Sequence, residues 1–229
     1  MTRSDRRRML LGLPAILLAT ALPEPAAAAS AEEALIAAAA RGDVPGVRQL
    51  IAAKANLHAR DASGQTALHA AAYGNHVEAA RLLMQAGADV NVKDTVGRTS
   101  FMVAAVRGYA EILRLALAHG ADVRILNQYG GTALIPASHY GHVEVVRELL
   151  KTPIDIDHVN RFGWTALIEA VILGDGGPRH TEIVRLLVAA GASLRIADPE
   201  GVTPLEHARR RGYGDIVRIL EAAASKRAR

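Results

Sequence analysis

Residues 64–96 read GQTALHAAAYGNHVEAARLLMQAGADVNVKDTV, and this stretch decides the fold. Thr66 stands directly before a run of Ala and Leu, where a hydroxyl can accept a hydrogen bond from one of the orphan N–H groups that open a helix. Asn75-His76-Val77-Glu78 interrupts the run. A second apolar helix follows and stops at Ala86-Gly87-Ala88-Asp89, where glycine takes the left-handed conformation that ends a helix at little cost. Two short helices and a polar loop fit into 33 residues. A pair this small cannot bury its own apolar face, so it needs neighbours of the same kind.

The neighbours are present. Gly-x-Thr returns at Gly97-Arg98-Thr99, Gly130-Gly131-Thr132, Gly163-Trp164-Thr165 and Gly201-Val202-Thr203, with threonine spacings of 33, 33, 33 and 38 counted from Thr66. Two residues after each threonine comes Leu68, Phe101, Leu134, Leu167 or Leu205. The middle signature recurs as Gly108-Tyr109-Ala110-Glu111, Gly141-His142-Val143-Glu144 and Gly212-Tyr213-Gly214-Asp215. The helix-ending glycine recurs as Gly120 and Gly191. A fixed period of this length is the mark of a stacked solenoid. Composition agrees: the chain is 50% hydrophobic but 3% aromatic, which suits close-packed Ala/Leu helices and excludes a β-sandwich or barrel. The apolar content excludes a disordered chain. With no cysteine, a disulfide framework and a Cys-type metal site are excluded.

The period, the Thr-x-Leu opening, the Gly-His-x-Glu centre and the Gly-Ala-Asp-x-Asn close resemble the ankyrin repeat family over about residues 31–221. The expected fold is an all-α ankyrin-repeat solenoid of about six helix-turn-helix units with finger loops, near 31–63, 64–96, 97–129, 130–162, 163–200 and 201–221. The first unit lacks Gly-x-Thr and reads as an N-terminal cap; the last reads as a C-terminal cap, and 222–229 as a basic tail. Two departures stand out. The fourth unit replaces the Gly-Ala-Asp close with Pro153-Ile154-Asp155, and the fifth carries the insert Asp175-Gly176-Gly177-Pro178-Arg179. The insert is expected to project at the edge opposite the finger tips, as a tolerated insertion or a second contact loop. Pro136, in the first turn of its helix, is a milder departure.

Residues 1–29 read as an export signal. Arg3, Arg6, Arg7 and Arg8 precede the apolar stretch Met9–Leu22, Pro23 and Pro25 break it, and Ala26–Ala29 supply small residues for cleavage. Asp5-Arg6-Arg7-Arg8-Met9-Leu10 resembles a twin-arginine motif; an ordinary Sec signal is the other reading, and an uncleaved anchor a third. The expected location is periplasmic or secreted, with the membrane met only transiently. The leader carries a net +2 of the total +4, and Ser225–Arg229 a further +3. The body is then close to neutral, and its one internal basic run, Arg209-Arg210-Arg211, does not make a nucleic-acid face.

Function is sought in positions the repeat leaves free. The resemblance implies that these are the finger tips beside each glycine and the end of each first helix, lining the concave side. In the third unit they include Arg98 and Arg107; in the fourth Gln128, Tyr129, His139 and Tyr140; in the fifth Arg161, Phe162 and Trp164. Half of the eight aromatic residues thus fall on free positions of two adjacent units. Aromatic residues and Arg are enriched where binding energy concentrates. The expected site is a protein-binding patch of Tyr129, His139, Tyr140, Arg161, Phe162 and Trp164, with Gln128 beside it and Arg98 and Arg107 as a polar rim. The other reading of a single ring is packing against the next finger.

No nucleophile–base, phosphate-loop or His-Glu-x-x-His signature appears. The chain reads as a monomeric, non-enzymatic scaffold for a protein partner, without cofactor or metal. The resemblance to exported bacterial ankyrin proteins implies protection against periplasmic oxidative stress, or alternatively immunity against a secreted toxic enzyme. A rival from another class is metal or haem handling through His139, His142 or His158; Asp155 and Asp157 with His158 form a second candidate cation cluster.

Overall fold

The computed structural model describes residues 30–227. The expected leader at 1–29 and the last two residues of the basic tail lie outside the described residues. The described chain folds as six helix pairs: α1 (Ala31–Arg41) with α2 (Val44–Ala52), α3 (Ala67–Tyr73) with α4 (Val77–Gln85), α5 (Ser100–Arg107) with α6 (Ala110–Ala118), α7 (Leu134–His139) with α8 (Val143–Leu149), α9 (Ala166–Ile172) with α10 (Pro178–Ala189), and α11 (Pro204–Arg210) with α12 (Gly214–Arg227). The first helices stack in chain order in one layer and the second helices in another. The all-α solenoid expected from the period is the fold.

The layers pack closely because the repeat puts the same small residue at the same depth. Ala71, Ala104, Ala137, Ala170 and Ala208 each lie five residues after their threonine, and all are fully buried. The larger side chains two residues after the threonine, Leu68, Phe101, Leu134 and Leu167, fill the space beside them. Few rings are needed in such thin, repeated interfaces.

The finger loops repeat as strictly. Asp61, Asp94, Asn127, Asn160 and Asp198 stand five residues before the threonines, and each Oδ1 accepts two backbone N–H bonds, two and four residues on. This Asx turn presents the finger tip. Between units, His76, His142 and His180 each donate from Nε2 to a carbonyl of the preceding unit, Ala40, Val106 and His139, at 2.9 Å. The three histidines of this register are therefore structural. At Gly108 an added Cβ would stand 2.5 Å from the His142 ring, so glycine there admits the ring.

Helix ends follow the expectation in part. Thr99, Thr165 and Thr203 accept from the third backbone N–H of their helices. Thr66 works instead with His69: the Thr66 N–H donates to His69 Nδ1, and His69 Nε2 reaches the Arg98 carbonyl at 3.0 Å. Thr132 is the exception to the capping expectation. In its unit Ile135 N–H bonds the Thr132 backbone carbonyl at 3.2 Å, and Pro136 has no N–H to offer. The Thr132 hydroxyl is buried without a partner, as is that of Ser138 on α7. Gly87, Gly120 and Gly191 end their helices at φ of 95°, 84° and 101°. The fourth unit, lacking that glycine, closes through Thr152, whose N–H and hydroxyl both bond the Leu149 carbonyl.

The insert of the fifth unit does not stand free. Asp175 Oδ1 accepts from the Gly177 N–H, Tyr213 donates its hydroxyl to the Gly174 carbonyl, and the Tyr213 ring packs where a Gly176 side chain would be. The loop leads into α10, which at 12 residues is longer than α4, α6 and α8. The expected tail after 221 also differs: α12 continues to Arg227, whose guanidinium bonds the Ala192 and Val188 carbonyls. No helix among the described residues is long and apolar enough to cross a membrane.

Candidate protein-binding groove

The finger loops and first helices of units three to five enclose a groove of about 400 Å³. Finger loops contribute Gln128, Tyr129, Phe162 and Trp164; α7 contributes Pro136 and His139, with Tyr140 just after it; α9 contributes Glu169. The four rings expected to form a patch are brought together. Tyr129 and Phe162, at the same position of adjacent fingers, have centroids 5.6 Å apart, and Phe162 and Trp164 are also 5.6 Å apart. Tyr140 lies nearly parallel to His139, 4.3 Å between centroids and 11° between planes. Tyr129, Tyr140 and Phe162 are each about half exposed, at 51%, 50% and 49%. Rings that large are seldom left in water as fillers.

Arg98 lines the same groove, but its charge is spent. Its Nε lies 3.2 Å from Asp94 Oδ2, and its guanidinium sits over the Tyr73 ring, 5.4 Å from the centroid. Arg107 approaches the same ring at 6.0 Å. Arg98, Arg107, Tyr73 and Tyr140 line a second depression of about 340 Å³, so Tyr140 is a wall common to both. Arg98 thus lines both depressions, and Arg107 the second. Arg161 is placed elsewhere. Its Nη1 donates to the Gln128 carbonyl at 3.0 Å, and its backbone N–H to the Tyr129 carbonyl at 2.9 Å. It braces two fingers and does not line the groove.

The residue that reading by free positions passes over is Glu169. It lies four residues after its threonine, where the other units carry Ala70, Val103, Pro136 and His207. An acid at that register was the available signal. Asn160 Nδ2 donates to Glu169 Oε1 at 2.8 Å. The amide at 160 suits this, because an Asp, as at 94 and 198, would set two carboxylates face to face. In the sixth unit the same two positions are Asp198 and His207, joined at 2.6 Å. Burial pushes the Glu169 carboxyl up to about 7, against the lowering effect of the Asn160 bond. His139 Nδ1 stands 3.6 Å from Glu169 Oε2, but burial and then the nearby His180 hold His139 below its ordinary range. The two stand close enough to pair only when His139 is protonated, a form that its burial disfavours.

Two histidines of the rival reading, His142 and His158, are bonded to backbone carbonyls. His142 bonds the Val106 carbonyl, and His158 Nε2 the Gly130 carbonyl at 2.7 Å. Asp157 Oδ1 accepts from the Ser193 N–H. Among the described residues no group of three or more His, Asp or Glu side chains is arranged to hold a metal ion.

Comparison with known proteins fits this geometry. The ankyrin repeats model matches three times, over residues 16–94, 91–160 and 152–229. The ankyrin repeat protein YahD of Escherichia coli (strain K12) is 47% identical over 57 residues, a segment that is 25% of this chain and spans only 28% of YahD. The crystal structure of an ankyrin repeat domain from Acinetobacter baumannii AYE superposes with a TM-score of 0.80 at 47% identity, covering 83% of this chain and 97% of that one. The ankyrin repeat protein EF0377 superposes equally well, at 37% identity with the same coverage. Such domains are in general protein–protein interaction scaffolds. With its period, its fingers and its stacked pairs all in that register, the chain belongs to the ankyrin repeat family.

Proposed function

We propose that this chain binds a partner protein through the groove of units three to five. The observation that carries the reading is the cluster of Tyr129, Tyr140, Phe162 and Trp164, each at a position the repeat does not prescribe, meeting around one opening. The walls are pre-arranged by the Asx turns and by Arg161, so few side chains lose freedom on binding. The Arg-rich start followed by an apolar stretch supports an exported chain, which makes the partner an exported protein as well.

Trp164→Ala combined with Tyr129→Ala removes two of the four rings. Truncating hot-spot residues costs about 2 kcal/mol or more each, so capture of the partner by the immobilised chain falls below detection while helical circular dichroism and melting cooperativity stay as they were. Capture is run in parallel from periplasmic and cytosolic extracts. Undiminished capture by the double variant overturns the groove as the site; a partner drawn only from the cytosolic extract overturns the exported reading.

A further inference from the structure

Resting on the partner-binding reading, the groove holds a feature that names the chemistry of what enters it. Its walls are the four rings, and at its base lies one carboxyl group, Glu169. Of the two oxygens, Oε1 is taken by Asn160. Oε2 has no hydrogen-bond partner among the described residues, and His139 at 3.6 Å is beyond reach. The other charged residue of the lining, Arg98, is already paired with Asp94. The groove therefore carries one acid with an oxygen that accepts no hydrogen bond, faced by His139 alone, inside an aromatic enclosure.

We propose that this groove is the receptor for a single arginine side chain of the partner protein, its guanidinium stacking on the aromatic walls and donating to Glu169 Oε2. Three physical points favour that occupant. The faces of Trp, Tyr and Phe rings attract a cation. A guanidinium is planar and weakly hydrated, so it gives up water for a ring face more readily than an ammonium does. A buried acid without a counter-charge is costly, and a cation that reaches it removes that cost and gains a charge-assisted hydrogen bond. Burial raises the Glu169 carboxyl to about 7 in the empty groove; an arriving guanidinium stabilises the ionised form, so binding is accompanied by proton release.

The test uses the full chain and three capped amino acids: N-acetyl-arginine methylamide, its lysine counterpart, and its citrulline counterpart, which keeps the shape of arginine without the charge. Trp164 is the single tryptophan, so its fluorescence and its indole N–H resonance report the groove directly. The expected result is a saturable shift with the arginine probe at millimolar concentration, a weaker one with lysine, and binding of citrulline weaker by about tenfold or more. Glu169→Gln, which retains an acceptor for Asn160, should bring arginine down to the citrulline level. Equal binding of arginine and citrulline by the wild-type chain, no shift with arginine, or undiminished arginine binding by a folded Glu169→Gln variant each overturns the proposal; tighter binding of lysine than of arginine overturns the assignment to a guanidinium. If Glu169→Gln does not fold, the arginine-against-citrulline comparison on the wild-type chain still decides. These failures are separate from failure of the partner-binding reading, which is read from capture by the ring-deleted double variant and not from the probes.

Discussion

The two long surfaces of this solenoid obey different rules. On the layer of second helices, Arg81, Arg114, Arg147 and Arg185 recur at spacings of 33, 33 and 38, the last lengthened by the insert at 175–179. Each meets a glutamate of its own or the next unit: Arg81 with Glu78 and Glu111, Arg114 with Glu148, Arg147 with Glu144 and Glu182, Arg185 with Glu182. Charge laid down in register neutralises itself along the array. On the finger side the register breaks in units four and five, and the unmatched groups gather there: an acid at 169, a proline at 136, and buried hydroxyls on Thr132 and Ser138 without partners. What repeats holds the fold together, and the exceptions gather in units four and five.

The largest test of that contrast is pH. Glu169 ionises in the folded chain at about 7, against an ordinary 4.5, because it is buried. The sign follows. Below 4.5 the carboxyl is protonated both folded and unfolded, and no cost is present. As pH rises from there toward 7 the unfolded chain gives up its proton first, so stability falls, and above 7 the loss is complete. His139 does not offset it, since burial favours its neutral form. The loss is no more than roughly 3 kcal/mol at 1.36 kcal/mol per pH unit, and less to the extent that water enters the groove. Glu169→Gln should therefore be about as stable as wild type in urea near pH 4.5, and clearly more stable above pH 7. Equal stability of the two at alkaline pH would place Glu169 in water and remove it from the base of the groove.

A second test compares two threonines at the same register. Thr99 caps α5 through a bond to the Met102 N–H at 3.1 Å, while Thr132 is buried with its hydroxyl unpaired. Thr99→Val should cost about 1 kcal/mol, the usual value of an N-cap. Thr132→Val, a change of similar shape, should be neutral or stabilising, because it deletes a buried polar group that bonds nothing. Equal losses in thermal melts would mean that the fourth unit is as regular as the third.

These cases mark how far the sequence alone could be read. The period gives the units and the threonine caps of α5, α9 and α11, because Gly-x-Thr is a local rule that recurs five times. It also locates the four rings, since positions outside the rule can be counted. Glu169 shows itself by the same count as an acid out of register, but its role was not legible: that depends on the bond from Asn160 and on the depth of α9, neither of which spacing conveys. Arg161 reads as a contact residue by type but braces the Gln128 carbonyl. The docked insert is missed for the same reason, because its partner Tyr213 belongs to the next unit.

The smallest effect belongs to the opposite surface. Arg114 meets Glu148 at 3.3 Å with half of its side chain exposed, and Glu148 is also bonded by Lys151 at 2.9 Å. Exposed pairs of this kind contribute about 0.2–1 kcal/mol and are screened by salt. Arg114→Ala should thus lower stability by less than about 1 kcal/mol, and by less still in molar salt. It should leave partner capture unchanged, because the ladder and the groove lie on different helix layers. A loss of capture with this variant would show that binding wraps onto the second helices, and the division of labour between the two surfaces would then fail at its quieter end. A loss confined to stability, vanishing with salt, would locate recognition on the finger side, where the repeat is broken.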